Sequence, residues 1–222
     1  MYDWKGKYKT MAQYYPIFID LTAQPVLVVG GGTVALRKVQ TLLQHGAYVR
    51  VVSPRLVPEL KELIDDKTCF WLKKDYSTED IQEAILVFSC TEKEEVNVQV
   101  ANDANAQHRP VNVVDDPEKC SFIVPSIMER GDLKIAVSTG GSSPIVARQV
   151  RVELQALYGQ EMAEYLTLLK TWRSLVKRSL PSEKRSIFWR RVTDGEVREL
   201  IKAQRLTEAE GVIEKCFQSL LD

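Results

Sequence analysis

The chain has 222 residues, of which 45% are hydrophobic and 27% charged, which is typical of a globular protein with one sizeable core and a smaller attached part. Thirty basic residues balance thirty acidic ones, so no net charge favours nucleic acid or an anionic membrane as a partner. No apolar run reaches the roughly 18 residues of a membrane span, and the charged, aromatic start is unlike a secretory signal. We therefore expect a cytoplasmic protein that binds neither nucleic acid nor membrane.

The first half of the chain alternates short apolar runs with amphipathic stretches. The apolar runs predict buried strands over residues 25–30, 48–53, 70–74, 84–91 and 110–115. Helical spacing between them predicts helices over residues 33–46, 56–65 and 94–107. The short run IFIDL, residues 17–21, predicts one more strand at an edge. Strands that alternate with helices indicate an α/β fold, with a parallel sheet covered by helices on both faces.

The pattern changes after residue 116. Residues 121–141 predict two or three strands with a turn at residues 130–132. A helix is predicted over residues 142–159, with a serine cap and Pro144 in its first turn. Further helices are predicted over residues 161–180 and 207–221, the latter opening with a capping box from Thr207 to Glu210. We predict three parts, which are residues 1–116, a small strand-containing region over 117–150 and a helical domain over 151–222.

The glycine turn after the first strand carries the clearest motif. Residues 30–35, GGGTVA, fit the G-x-G-x-x-A pattern of a dinucleotide site, and they lie between a predicted strand and a predicted helix. Gly30 permits the tight turn, and Gly32 lets the backbone approach a pyrophosphate at the helix N-terminus. The alternative is a glycine turn that serves only close packing. The context favours a Rossmann-type nucleotide-binding domain.

The end of the second strand leaves the identity of the cofactor open. Dinucleotide sites usually place an acidic residue there to bind the ribose, but this chain has Ser53, Pro54 and Arg55. An arginine at this position favours a 2′-phosphate and hence NADP. A solvated Arg55, with ribose contacts from Ser53 or the backbone, is the alternative. From these residues alone, NAD and NADP stay equally open.

Two further segments carry polar groups suited to chemistry. Asp115 and Asp116 directly follow the last predicted strand of the sheet, at the edge where such sheets bind ligands, and a carboxylate there suits a general base. A plain turn is the alternative. Residues 138–144, STGGSSP, offer hydroxyls and a helix N-terminus to a carboxylate or phosphate, or form only a capped loop. The i, i+3 spacing of Arg148 and Arg151 on the following helix allows them to share one face, and solvated side chains are the alternative.

Four segments together resemble a known family. In chain order they are YPIFIDL, VLVVGGGTVALRKVQTLL, PVNVVDDPEKCSFIVPSI and LKIAVSTGGSSPIVAR. They resemble the siroheme synthase family from about residue 15 to residue 153. The resemblance implies a Rossmann domain that binds NAD, a dimerisation region of strands, a helical C-terminal domain and a homodimer. It also implies oxidation of precorrin-2, a tetrapyrrole with eight carboxylates, to sirohydrochlorin, and in some members the insertion of ferrous iron. We expect the stand-alone form, without a methyltransferase domain.

The resemblance also suggests roles for individual residues. It implies that Asp115, and not Asp116, is the catalytic aspartate. The expected cofactor-binding residues lie at the ends of the strands: Gly30, Gly31, Gly32, Thr33, Val34, Ser53, Pro54, Arg55 and Thr91. Candidates for binding the substrate carboxylates are Thr139, Gly140, Ser142, Arg130 and Arg148. Thr139 stands where some relatives have a serine that can be phosphorylated. We expect no resident metal site, since only two histidines are present and the four cysteines are scattered.

Two other classes of function remain as alternatives. One is an NAD(P)-dependent oxidoreductase that acts on another small substrate. The other is a nucleotide sensor without catalysis, in which a Rossmann regulatory domain carries a helical dimerisation tail. The first predicts turnover without a tetrapyrrole, and the second predicts cofactor binding without oxidation.

Overall fold

A computed structural model of the protein describes residues 14–221. The chain divides into two compact units, and the division falls between Val124 and Pro125. The first unit contains a parallel sheet and the second is mainly helical. No helix in residues 14–221 is both long enough and apolar enough to cross a membrane.

In the described part of the first unit, residues 14–124, the sheet has five strands in the order β3-β2-β1-β4-β5, and every pairing is parallel. The strands are β1 Pro25–Val29, β2 Tyr48–Val52, β3 Cys69–Leu72, β4 Leu86–Ser89 and β5 Val111–Val113. Strand β1 lies in the middle and pairs with both β2 and β4. This architecture confirms the predicted α/β fold of Rossmann type, and all five predicted inner strands are present.

Helices cover both faces of the sheet because alternate residues of β1 point to opposite sides. Val26 and Val28 pack into the core under helix α1 (Thr33–Gln44) and the short helix α2 (Pro58–Lys61). Leu27 and Val29 pack into the opposite core, which is covered by helix α3 (Glu94–Ala106). These four side chains are at most 3% exposed. A strand buried on both faces reads as a continuous apolar run, as residues 25–30 do.

Two predictions for the first unit are wrong. Residues 17–21 form no strand, and Phe18 is 72% exposed. The Asp20 side chain instead accepts the Thr22 N–H at 2.9 Å, which turns the chain before β1. The helix predicted over residues 56–65 is shorter in the structure and comprises only α2, Pro58–Lys61. After it, the Asp65 carboxylate accepts the N–H groups of residues 67–69 at 2.8–3.0 Å and holds a turn there.

Over residues 125–221, the second unit contains one hairpin and five helices. Strands β6 (Ser126–Arg130) and β7 (Leu133–Val137) are antiparallel, so the region holds two strands rather than three. The helices are α4 Pro144–Leu157, α5 Glu161–Ser179, α6 Ser182–Val192, α7 Glu196–Lys202 and α8 Leu206–Gln218. Their apolar faces form a core around the fully buried Phe188. Helices α6 and α7 lie in a stretch for which no element was predicted.

One helix cap is confirmed and another is wrong. The Ser143 hydroxyl accepts the Val146 N–H at 3.3 Å, and Pro144 is the first residue of α4, as predicted. Helix α8, however, begins at Leu206, one residue before the predicted cap at Thr207. Arg205 precedes the helix and binds Glu208 through two hydrogen bonds of 2.6 and 2.7 Å. This pair lies two residues before the predicted box of Thr207 and Glu210, and Thr207 lies inside the helix.

The junction before α5 provides a test of stability. Glu161 is 11% exposed and accepts a hydrogen bond from Arg198 at 2.7 Å, which holds the pKa of the Glu161 carboxyl below its usual 4.5. We expect Glu161→Gln to lower the free energy of unfolding at pH 7 by about 1 kcal/mol, toward the low end for bonds to charged groups because Arg198 is partly solvated.

The pH dependence of this effect has a definite sign. A carboxyl whose pKa is lowered by folding contributes its full stability above the unfolded pKa, and the contribution is lost as the pH falls through the folded pKa. The difference between wild type and Glu161→Gln in urea unfolding is therefore expected to shrink below pH 4.5. The exposed Glu164 of the same helical turn is the matched control, and Glu164→Gln should show no such convergence. A constant difference for Glu161→Gln down to acid pH would contradict the assignment.

Candidate active site

The glycine turn joins β1 to the N-terminus of α1. Gly30 has φ +120°, and a Cβ there would lie 2.5 Å from the carbonyl oxygen of Cys90. A Cβ at Gly31 would lie 1.9 Å from the carbonyl oxygen of Arg55. Gly32 differs from both, because a Cβ there would meet nothing within 4 Å. The first two glycines thus permit close packing, whereas the third opens onto free space.

Gly32 also leaves the start of α1 without a side-chain cap. The first N–H groups of a helix have no partner within it, and together with the helix dipole they attract an anion. Thr33 and Val34 supply two of these groups. An open glycine before uncapped N–H groups suits the approach of a pyrophosphate. These residues therefore fit the dinucleotide expected from the sequence.

The loop after β2 packs directly over this turn. The Ser53 hydroxyl is buried and donates to the Arg55 carbonyl at 2.7 Å, and the Trp71 indole N–H donates to the Ser53 carbonyl at 2.9 Å. The Val57 N–H donates to the Gly31 carbonyl at 2.8 Å. The Arg55 side chain is exposed. The structure therefore brings the predicted ribose residues beside the glycines, with Ser53 holding the shape of the loop.

The loop after β4 completes the same edge of the sheet and is held by a residue that the sequence analysis missed. Asn97 is buried on α3, where it accepts the Ser89 hydroxyl at 2.7 Å and donates to the Thr91 carbonyl at 3.1 Å. Thr91 is the predicted cofactor residue of this loop. An asparagine among the apolar positions of a helix was the available signal, since a buried amide requires partners.

Asp115 and Asp116 have different environments. Asp115 is exposed and has φ +61°, the left-handed region that aspartate tolerates better than most residues. Among the described residues, none forms a hydrogen bond or ion pair with its carboxylate. Asp116 instead pairs with Lys119, which holds the pKa of the Asp116 carboxyl below its usual value. The Asp115 carboxylate is thus available to a ligand, and that of Asp116 is engaged.

Cys120 holds the chain on either side of the aspartates. Its thiol donates to the carbonyl oxygens of Val113 and Asp116, each at 3.2 Å, and its sulfur accepts the Val113 N–H. Burial raises the pKa of the Cys120 thiol, so it stays neutral and serves the geometry of the loop. This role was also missed, because nothing in the sequence indicates which backbone groups a lone cysteine will bind.

A cavity of about 490 Å³ brings residues of the turn and of the aspartate loop together. Val34 and Asp115 both line it, although they are about 80 positions apart in the sequence. One face of α1 forms one wall, with Arg37, Lys38 and Thr41. The opposite wall is formed by the end of β5 and the chain that follows, with Asn112, Val113, Val114, Asp116, Pro117, Cys120, Ile123 and Val124. Such a volume suits part of a large ligand or a small whole one.

The remaining predicted residues lie in the second unit. Thr139, Gly140 and Ser142 form the loop between β7 and α4. The Thr139 hydroxyl donates to the Ser143 carbonyl at 2.9 Å and accepts the Ser143 N–H at 3.0 Å. Gly140 is in the left-handed region with φ +63°. The loop is thus built by its own hydrogen bonds, and the Thr139 hydroxyl takes part in them.

The arginines predicted to bind carboxylates lie on different elements of the second unit. Arg130 lies at the turn end of the hairpin, opposite Leu133, and donates to the Glu129 carbonyl at 2.8 Å. The Thr139 loop follows the other end of β7. Arg148 is exposed on α4, and Arg151 donates to the Ser126 hydroxyl at 3.1 Å. Within residues 14–221, no three His, Cys, Asp or Glu side chains are grouped to hold a metal ion.

Three protein-family models match successive parts of the chain. Residues 17–126 match a family described as "Putative NAD(P)-binding". Residues 130–157 match "Sirohaem biosynthesis protein central", and residues 163–217 match "Sirohaem synthase dimerisation region". Together the three cover almost all of the described residues.

Individual relatives agree with these families. A siroheme synthase of Mannheimia succiniciproducens is 39% identical over 202 residues, which are 90% of this chain and 42% of that protein. A siroheme synthase of Neisseria meningitidis serogroup C is 40% identical over 203 residues, which are 91% of this chain and 42% of that protein. The chain spans less than half the length of these relatives. Among solved structures, "SirC, precorrin-2 dehydrogenase" is 27% identical with a TM-score of 0.76, covering 91% of this chain and 100% of that one.

Proposed function

Since the chain belongs to the siroheme synthase family, we propose that it oxidises precorrin-2 to sirohydrochlorin with NAD+. The observation that carries this proposal is that Val34 of the glycine turn and Asp115 line one and the same cavity. A cofactor site and a free carboxylate thus border the same space. The structural relative of similar size is itself described as a precorrin-2 dehydrogenase, which supports the same activity.

The chain contributes binding, orientation and a proton acceptor. The open Gly32 and the first N–H groups of α1 would hold the pyrophosphate of a bound cofactor, and the loops at Ser53 and Thr91 would border the rest of it. A bound NAD+ would supply the hydride acceptor. The oxidation removes two electrons and two hydrogens from precorrin-2, one as hydride and the other as a proton. Asp115 takes the proton and releases it to water.

The decisive experiment uses the purified protein with precorrin-2 and NAD+ under anaerobic conditions. We expect NADH to form in step with the sirohydrochlorin chromophore, which absorbance follows directly. Cofactor binding without oxidation would favour the nucleotide sensor. Turnover of another hydroxyl or carbonyl compound, with precorrin-2 inert, would favour a different oxidoreductase. A protein-free control corrects for spontaneous oxidation of the substrate.

Insertion of ferrous iron is tested in the same cuvette. After oxidation is complete, Fe²⁺ is added and the sirohydrochlorin chromophore is followed further. If the protein also has the chelatase activity that the resemblance implies, the chromophore is converted faster than in the protein-free control. Asp115 is then the candidate acceptor for the pyrrole protons that leave as iron enters.

We propose NAD rather than NADP as the cofactor, as the family resemblance implies. Arg55 is exposed at the end of β2, so its guanidinium remains solvated when a plain ribose is bound. The kcat/KM with NAD+ is expected to exceed that with NADP+ by about tenfold or more, and Arg55→Ala should change the NAD+ value less than about threefold. A preference for NADP+ that disappears in Arg55→Ala would instead assign Arg55 to a 2′-phosphate.

We further propose that the protein acts as a homodimer in the cytoplasm. The match of residues 163–217 to a dimerisation region supports the dimer. Two expectations stay predictions. One is the division of the chain after residues 116 and 150. The other is the binding of substrate carboxylates, for which the candidates are Thr139, Gly140, Ser142, Arg130 and Arg148. Sedimentation of the purified protein with and without precorrin-2 measures the oligomeric state.

A further inference from the structure

Lys38 is the half-buried cation in the cavity that contains Asp115. It lies one helical turn after Val34 on the same face of α1, and both residues line the cavity. Its ammonium group lies 5.5 Å from the centre of the Phe88 ring, a geometry that favours a cation over an aromatic face. The side chain is therefore held by packing in the wall of the cavity and is not extended into bulk water.

Lys38 lacks the carboxylate partner that three other lysines of the first unit have. Lys119 pairs with Asp116 and Glu94, Lys93 with Asp75, and Lys74 with Asp80. Within residues 14–221, no acidic side chain lies within ion-pair distance of Lys38. Burial accordingly lowers the pKa of its ammonium group below the usual value. A partly desolvated cation without a counter-charge within ion-pair distance is unfavourable, and an anionic ligand bound in the cavity would relieve this.

The size of the cavity limits what Lys38 can contact. At about 490 Å³, it falls within the range for drug-sized ligands, roughly 300–1,000 Å³. A tetrapyrrole with eight carboxylate arms is larger than such ligands. The cavity therefore has room for one edge of the macrocycle with the carboxylate arms of that edge.

We propose that Lys38 binds a peripheral carboxylate of the tetrapyrrole and thereby holds one edge of the substrate beside Asp115. This assignment rests on the proposed function. It differs from the sequence-based candidates, which are all in the second unit. Arg37, next to Lys38, is exposed and solvated, so it gains less from the same contact.

The test is a titration of the protein with sirohydrochlorin in the absence of NAD, followed by absorbance. Lys38→Met is expected to raise the Kd for sirohydrochlorin about 10- to 100-fold, the loss of affinity typical when a hydrogen bond to a charged group is removed. Lys38→Arg keeps the positive charge and should keep most of the affinity. In turnover the KM for precorrin-2 should rise while kcat stays within about threefold. Lys61→Met, which removes an exposed lysine on α2, is the matched control and should leave the Kd unchanged.

Two further arms identify what Lys38 contacts. The affinity for NAD+ should be the same in wild type and Lys38→Met, since a loss there would assign Lys38 to a cofactor phosphate and overturn the proposal. The octamethyl ester of sirohydrochlorin should bind both proteins equally, because it has no carboxylate charge. If Lys38→Met weakens the ester and the acid by the same factor, Lys38 acts only by packing, and the proposal is wrong.

The outcomes also separate this proposal from the proposed function. If wild type binds no tetrapyrrole, the proposed function fails and the Lys38 assignment fails with it. If wild type binds sirohydrochlorin and Lys38→Met binds it as tightly, only the Lys38 assignment is wrong. Circular dichroism checks the fold of each variant. Should the methionine variant not fold, the comparison of Lys38→Gln with Lys38→Arg gives the same contrast of charge.

Discussion

Replacing Asp115 with asparagine is expected to lower kcat for precorrin-2 oxidation by about 10²- to 10⁴-fold, the range typical of a general base, while NAD+ binds as before. The carboxylate is exposed at the end of β5 without a partner among the described residues, so its loss removes no structural contact. Asparagine tolerates the left-handed backbone at φ +61°, so the loop keeps its shape. Rapid-mixing measurement of NADH formation gives the rate.

The matched control for this variant is Glu118→Gln. Glu118 is an exposed carboxylate three residues further along the same loop, and its replacement should change kcat less than about threefold. Binding of NAD+, measured by calorimetry, should be unaffected in both variants. If Asp115→Asn turns over precorrin-2 at the wild-type rate, Asp115 is not the proton acceptor, and another group beside the cavity takes that role.

The adjacent glycines are expected to respond to alanine in opposite ways. Gly31→Ala places a methyl group 1.9 Å from the Arg55 carbonyl oxygen, so the backbone must move. Over-packing usually lowers the free energy of unfolding by roughly 1–3 kcal/mol, and we expect a loss at or above the upper end of that range. Gly32→Ala meets no atom within 4 Å, and its φ of −87° is open to alanine. The folded protein should tolerate it.

Gly32→Ala should instead act on the cofactor. Its methyl group fills the space through which a pyrophosphate approaches the helix N-terminus, so we expect the Kd for NAD+ to rise about tenfold or more. Urea unfolding and NAD+ calorimetry on both variants test the contrast. Equal NAD+ affinity in Gly32→Ala and wild type would show that the pyrophosphate binds elsewhere. Wild-type stability in Gly31→Ala would contradict the packing of the β2 loop over the turn.

Much of the nucleotide-binding unit was predictable because its signals are local. Strands buried on both faces appear as apolar runs, and a glycine turn between a strand and a helix has a characteristic spacing. The failures also have local causes. The run at residues 17–21 is apolar enough for a strand, but a strand requires a neighbour, and the Asp20 turn directs the chain away. Helix α8 starts at Leu206, before the capping motif, and its first turn carries a pair of Arg205 and Glu208 that the motif does not describe.

The candidate site was predictable in part. The sequence placed Asp115 at a strand end, but it did not separate Asp115 from Asp116 without the family resemblance. The contacts that distinguish them come from Lys119 and Cys120, which follow in the next turn of chain. Lys38 was overlooked because a lysine on an amphipathic helix normally faces water. Only the tertiary structure shows that its ammonium group lies over Phe88 and that Lys38 lines the cavity.

The sequence by itself determined the α/β class, the position of the nucleotide turn and the residue types at the strand ends, because these depend on neighbours a few positions apart. The tertiary structure decided which glycine opens onto free space, which aspartate is free and which cation shares a cavity with it. Those properties depend on atoms brought together from distant positions, such as Gly31 with Arg55 and Val34 with Asp115. The sequence separation of two residues does not predict such a contact, because the contact depends on the order in which the strands pair in the sheet.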